Sequence, residues 1–447
     1  MTANESIPTG KVFISKEVIP KQAIQPENFP ERLVWYSMIW TYGFYVIGAT
    51  YIVGSLLSWI LTFYLLLKLW IQTEDTPETE KIRIPFLVWV WILGMIGMEV
   101  ALIVGSLDFD LSTGEIIKSS IGWAKGWAAL ALYPLVGVLN IRPQIIYRAT
   151  CIICLHTLLL SPILILAPIL HFPEVLYVSP LRAVGGPSDQ FFDVSFYEVD
   201  FDGQIRQRLF TPWGPALGFV ASTYFILALK EEDRKWRWFG IIGSIYMGYI
   251  CKSRLALVSL LFTPVFTALL ARLGRPAILI LLGLGSTLSG IFAPNIVTTI
   301  DTVMTKFTEA RAASSKVRSI LKEIAGHRWE TEAPIWGHGV VEAGPHVAEF
   351  MPIGSHHTWY GLLFVKGLVG FYSLAIPMVL SFIVLVFKAQ RSQTARAGLG
   401  ILFTLFLYTF GENLEILAYL YWPGLIIMGS AFKIRPSAPQ SDHEIPS

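Results

Sequence analysis

Long apolar runs separated by short polar connections repeat along almost the whole chain. Residues 34–71 are too long for one crossing at a rise of about 1.5 Å per residue, so a break near Gly43–Gly54 divides them into two. Further runs fall near 85–107, 121–139, 149–171, 214–229, 239–251, 254–270, 277–295, 358–387, 397–415 and 417–432. The pattern predicts an all-α polytopic membrane protein with about twelve transmembrane helices. Two long polar segments, 172–213 and 296–357, interrupt it, and segments of that length usually carry function.

Composition agrees with this pattern. The 447 residues are 54% hydrophobic and 15% charged, whereas a soluble domain carries about 25% charged residues. The net charge of +2 leaves no footprint for nucleic acid. Charge placement orients the chain. With the N-terminus inside, the loops 72–84, 140–148, 230–238, 271–276 and 388–396 are cytoplasmic and hold most of the loop Lys and Arg, from Lys81 and Arg83 to Arg391 and Arg396. The short outside loop 108–120 is acidic, and both long segments fall outside. The expected organisation is a cytoplasmic segment 1–33, a single transmembrane domain 34–432 and a cytoplasmic tail 433–447. The segment before Leu33 lacks the short apolar core and cleavage site of a signal peptide, so the first span is expected to serve as an uncleaved signal.

Several motifs are weak. Cys151 and Cys154 form a CxxC inside an apolar run, where packing explains them better than redox or metal chemistry. Asp108-Phe109-Asp110 resembles a metal-binding DxD but lies in a short polar loop where two acids are ordinary. His338, His346, His356 and His357 are the right residue type for zinc without a fixed ligand spacing.

Stronger chemistry lies between Arg206 and Gly370. Residues 309–325 read as an amphipathic helix, with Val317, Ile320, Leu321 and Ile324 on one face and Arg311, Ser315, Arg318 and Lys322 on the other. Such a face either lies in the lipid headgroups or binds a polyanion, for which arginine is well suited. Arg206 and Arg208 end the first long outside segment, and Ser253-Arg254 marks an outside turn between two apolar runs, where an arginine either snorkels or serves a site. Gly337-His338-Gly339 reads as a turn. His356 and His357 stand at the mouth of the next span beside Ser355, Thr358 and Tyr360, so one of them fits a general base or an acceptor-orienting group.

In order along the chain, Gln207–Gly214, Ser253-Arg254, Ser314-Ser315-Lys316-Val317-Arg318, Pro334–Gly339, Ser355-His356 and Gly367-Leu368-Val369-Gly370 resemble motifs of the O-antigen ligase and O-antigen polymerase superfamily of bacterial membrane glycosyltransferases. The first 170 residues are similar to that family only as apolar spans. The family often has Asn or Ser after its histidine, where this chain has His357.

The resemblance implies a C-type glycosyltransferase-like architecture in the cytoplasmic membrane, acting at its outer face without a metal or other cofactor. It implies a glycan donor on undecaprenyl pyrophosphate and an acceptor glycan or lipid, in polysaccharide assembly with other assembly proteins as partners. His356, Arg318 and Arg254 are then the expected catalytic residues. Arg208, Arg311, Lys322, His338 and His357 are expected to bind pyrophosphate or glycan. A polymerase is favoured over a ligase by the Arg-rich helix and the Gly-His-Gly turn. The alternative from another class is a lipid-linked glycan flippase, which would place ionisable residues on broken helices near the membrane midplane.

Overall fold

The computed structural model describes residues 24–78, 80–199, 203–295, 297–299, 301–302, 312–348 and 350–433. The helices are α1 (Phe29–Ile39), α2 (Thr41–Val46), α3 (Thr50–Ile71), α4 (Phe86–Asp108), α5 (Thr113–Lys125), α6 (Ala129–Val136), α7 (Pro143–Ile169), α8 (Gly214–Ala228), α9 (Arg234–Ile250), α10 (Arg254–Leu270) and α11 (Pro276–Ile291). They continue with α12 (Ala293–Thr299), α13 (Ala312–Glu332), α14 (Thr358–Ala389), α15 (Gln393–Tyr408) and α16 (Leu414–Phe432).

Among the described residues, α3, α4, α7, α14 and α16 are each long and apolar enough to cross a membrane. The pair α11 and α12, bent by 78°, is a candidate sixth crossing. These helices mark a membrane protein. Other expected crossings correspond to shorter or broken helices. The run 121–139 bends at Gly126, where a Cβ would lie 2.5 Å from Glu415, and divides between α5 and α6. α8, α10 and α15 have 15, 17 and 16 residues, below the roughly 20 of a straight crossing. The break expected within 34–71 falls between α2 and α3, where Gly48 has φ +69° and Ser179 Oγ donates to the Ile47 carbonyl at 2.8 Å.

α16 is apolar on all sides and buried along most of its length, as a central helix must be. It packs against α3, α6, α8 and α15. Its approach to α6 is so close that a Cβ on Gly429 would sit 2.0 Å from the Pro134 carbonyl oxygen. At one end of the bundle, basic side chains are tied down. Arg142 pairs with Glu31 at 2.8 Å and Arg148 with Glu231 at 2.8 Å. Lys388 Nζ donates to the Ala431, Phe432 and Lys433 carbonyls, complementing the negative end of α16.

The long segment 172–213 is not purely helical or irregular, which corrects the all-α expectation locally. It contains two small antiparallel sheets, β1 (Val175–Val178) with β2 (Asp193–Ser195) and β3 (Glu198–Val199) with β4 (Ile205–Arg206). The other long segment contains α13, whose Leu321 and Ala325 are buried while Arg318 and Lys322 stay exposed, as the amphipathic pattern predicts.

The most consequential irregularity lies inside α14. Gly367 has φ 57° and ψ −157°, so the helix is broken there. A break inside an apolar helix frees backbone groups that the bilayer core leaves unsatisfied. The segment Pro334–Gly339 takes them up. His338 N donates to the Phe364 carbonyl and Gly339 N to that of Val365, both at 2.9 Å. Leu368 N donates to the Pro334 carbonyl at 2.9 Å and Val369 N to that of Ile335 at 3.2 Å. The contact requires Gly337, since a Cβ there would lie 2.3 Å from the Lys366 backbone nitrogen, and its φ is +72°.

Candidate functional site

Four segments far apart in sequence converge at one end of the bundle. The turn before α8 brings Gln207 N to the Ile250 carbonyl at 3.1 Å, setting Arg206 and Arg208 beside the Cys251–Ser253 turn. Ser253 caps α10 by accepting from Ala256 N, which fixes Arg254 as its first residue. Leu255 then lies against Gly411, bringing the α15–α16 connection to the same place. Thr358, two residues after His356, joins that connection through three hydrogen bonds. Its backbone N donates to the Thr409 carbonyl at 2.8 Å and its Oγ1 to the Glu412 carbonyl at 2.7 Å, while Leu414 N donates to Oγ1 at 3.2 Å.

A group of ionisable side chains faces this junction. Arg318 of α13 and Arg206 act electrostatically on both His356 and Glu412. Burial, reinforced by the two arginines, pushes the His356 imidazole down to about 3, so it is neutral at physiological pH. Glu412 is 1% exposed and accepts a 3.0 Å hydrogen bond from Trp213 Nε1. Burial pushes its carboxyl up to about 7, against the opposing pull of Arg318, the Trp213 bond and Arg206. The Ser355 hydroxyl beside them is buried without a hydrogen-bond partner among the described residues, a position that a bound group would satisfy. His356 also holds φ +62°, and Leu209 and Lys252, next to Arg208 and Ser253, have φ 49° and 48°. Backbone strain of this kind gathers at functional sites.

The expected site residues separate into two groups. His356 and Arg318 come together, with Arg254 on the adjoining end of α10. Lys322 stands over the Tyr360 ring at 4.9 Å. Burial and the Lys322 charge push the neighbouring His357 down to about 4, and its Nδ1 accepts weakly from Tyr360 N, capping α14.

Arg208 and His338 are used internally. Arg208 is 4% exposed, with Nη2 on Asp193 at 2.8 Å, Nε on Ser195 Oγ at 2.8 Å and Nη1 on the Pro212 carbonyl at 2.9 Å. Its guanidinium holds β2 against the turn before α8, so three of its N–H donors serve the fold. His338 is 1% exposed and stacks on Phe364, with Nδ1 at 2.9 Å from the Phe364 carbonyl oxygen and Nε2 at 2.8 Å from Glu332. It is therefore a strut between α13 and the α14 break, with both ring nitrogens on internal partners. Arg328 extends the strut to Glu332 and Glu342, and together with His338 it holds the Glu332 carboxyl down at about 2. Arg311 lies outside the described residues.

Sequence reading missed Glu412. The apolar run 397–415 reads as one span, which puts Gly411-Glu412 inside apolar sequence. The signal was present, because an acid at that position is costly unless it serves a site. Among the described residues, no three His, Cys, Asp or Glu side chains converge as metal ligands, and Asp108 and Asp110 stand at the exposed end of α4.

Neither the models of known protein families nor a comparison with curated proteins gives a match for this chain.

Proposed function

We propose that the protein is a membrane glycosyltransferase that transfers or polymerises pyrophosphate-linked glycan units, taking its donor from undecaprenyl pyrophosphate at the outer face of the cytoplasmic membrane. The twelve-crossing arrangement, which uses the shorter helices as spans, belongs to the same proposal. The observation that carries it is the meeting of Arg206, itself ion-paired with Glu198, and the exposed Arg318, from separate long segments, at a buried neutral imidazole and a buried carboxyl.

In the reaction, the bond between the donor sugar's anomeric carbon and the pyrophosphate oxygen breaks. The acceptor's hydroxyl oxygen bonds to that carbon. The pyrophosphate departs as an anion and needs no proton, so preorganised guanidiniums stabilise the charge that grows on it. The acceptor's proton goes to His356 Nδ1 or Nε2. His356 is a weak base in the empty site because burial and both arginines disfavour its cation. Pyrophosphate between those arginines offsets their field and raises the basicity of the imidazole, so proton acceptance strengthens when donor is present. Arg254 is the first residue of α10, next to Leu255, which packs at Gly411.

The test is turnover of a purified undecaprenyl-pyrophosphate glycan in detergent, scored by product length and release of undecaprenyl pyrophosphate. Longer glycan on the lipid supports a polymerase. Transfer only to a separate lipid acceptor supports a ligase. Unchanged glycan refutes transferase chemistry.

One observation favours a lipid-linked glycan flippase as the second reading. Lys366, 2% exposed on the broken α14, lies within electrostatic reach of Glu99 on α4 and Glu415 on α16. Buried charges at a discontinuous helix are a transporter feature. Movement of intact donor across a vesicle bilayer, without product, separates this reading from the first.

A further inference from the structure

A row of aromatic rings leads away from the basic junction along the side of the bundle. It begins at α13, where Lys322 covers Tyr360. Tyr360 meets His357 edge-on at 4.8 Å, and His357 meets Phe410 at 5.8 Å. From there the row follows α15. Phe410 contacts Phe406 at 5.2 Å, Phe406 stacks with Phe403 at 6.5 Å, and Phe403 stacks on Phe266 of α10 at 4.6 Å. Phe403 and Phe406 lie one turn apart on α15, and Phe410 follows just after its C-terminal cap. Phe406 and Phe410 are 42% and 52% exposed, so the row opens sideways and is not sealed in the core.

The row is continuous with a cationic mouth at only one end. At that end stand Lys322 and the junction of Arg318 and Arg206. At the other end the row runs into the seam between the apolar α10 and the C-terminal, apolar half of α15. Cation above and exposed aromatic surface below match a ligand with an anionic head and a long hydrocarbon tail. A water-soluble sugar nucleotide has no use for the lower part. We propose that the α10–α15 seam is the track for the polyprenyl tail of the donor, with the pyrophosphate at the arginines. This rests on reading the junction as a pyrophosphate site. Bilayer lipid is as apolar as the tail, so selectivity comes from ring packing and from the tethered head, not from removal of water.

The experiment places a benzophenone-bearing phenylalanine analogue at Phe406, and separately at Leu93, which is 64% exposed on α4 and away from the row. Radiolabelled undecaprenyl pyrophosphate is added to the purified full-length protein in nanodiscs and irradiated. Labelling at position 406 that exceeds labelling at 93, and that unlabelled undecaprenyl pyrophosphate suppresses, is the expected result. Equal labelling at the two positions overturns the proposal, because the row is then only lipid-facing surface. A second measurement compares affinity for undecaprenyl pyrophosphate and for inorganic pyrophosphate. Phe406→Ala together with Phe410→Ala should lower the first by roughly 2- to 12-fold, the range of aromatic contact energies, and leave the second unchanged. Inorganic pyrophosphate binding that depends on Arg318, without preferential labelling at 406, rejects the track and keeps the anion site. Absence of Arg318-dependent pyrophosphate binding rejects the underlying reading of the junction itself.

Discussion

Glu412→Gln isolates the electrostatics of the junction from its chemistry. The substitution keeps the shape, and the amide oxygen still accepts from Trp213 Nε1. In the wild type the carboxyl rises from about 4.5 to about 7 on folding, chiefly because it is buried. The folded protein then binds a proton that the unfolded chain has released, and stability falls as pH rises through that window. A rise of roughly 2.5 pH units at about 1.4 kcal/mol each makes the penalty roughly 3.5 kcal/mol, complete above about pH 7. The Gln variant carries no such penalty. Its apparent Tm in detergent should therefore gain on the wild type between pH 5 and 7.5 and run parallel to it above that. Arg318→Ala removes a cation that holds the carboxyl down, so the upper edge of the window should extend to higher pH while its lower edge stays. Thermal melts from pH 5 to 9 on the three proteins measure this. A wild-type-to-Gln gap that stays constant over the whole range refutes the claim that Glu412 titrates in the arginines' field.

Arg318→Ala should lower turnover about 10²–10³-fold, and Arg318→Lys should rescue it only partly, because an ammonium cannot make a bidentate phosphate contact; equal rates for Lys and Arg would sink the clamp. His356→Ala should cost roughly 10²–10⁴ in turnover while pyrophosphate binding stays within a few-fold of wild type, and wild-type turnover would remove histidine from the proton step. Gly337→Ala forces a left-handed backbone, costing about 1–2 kcal/mol, and drives a methyl into the Lys366 backbone at 2.3 Å, so it should lower the Tm; an unchanged melt contradicts the pairing of this turn with the α14 break. Impermeant thiol labelling should reach Ser188→Cys but not Ser392→Cys in intact cells, and the reverse pattern would place the junction on the cytoplasmic side.

Much of the architecture was legible along the chain because apolar run length and helical period are local properties. Five runs became helices long enough to cross a membrane, the break after α2 fell where the run was too long, and α13 buried Leu321 and exposed Arg318 as its period required. The motifs at Arg206, Ser253-Arg254 and Ser355-His356 were visible as costly polar residues beside apolar sequence. Which of them face a common space was not visible, because that depends on contacts between segments 50 to 200 residues apart, such as Trp213 on Glu412 and Thr358 on Glu412. Residue type and motif alone made Arg208 and His338 binding candidates beside Arg318 and His356. Only the fold supplied Asp193 and Ser195 for the first and Glu332 and the Phe364 carbonyl for the second, turning both into internal supports. The broken α14 shows the same division. Gly367 marks the sequence only as a glycine, and it is the distant Pro334–Gly339 segment that makes a break tolerable by taking up the backbone groups it frees.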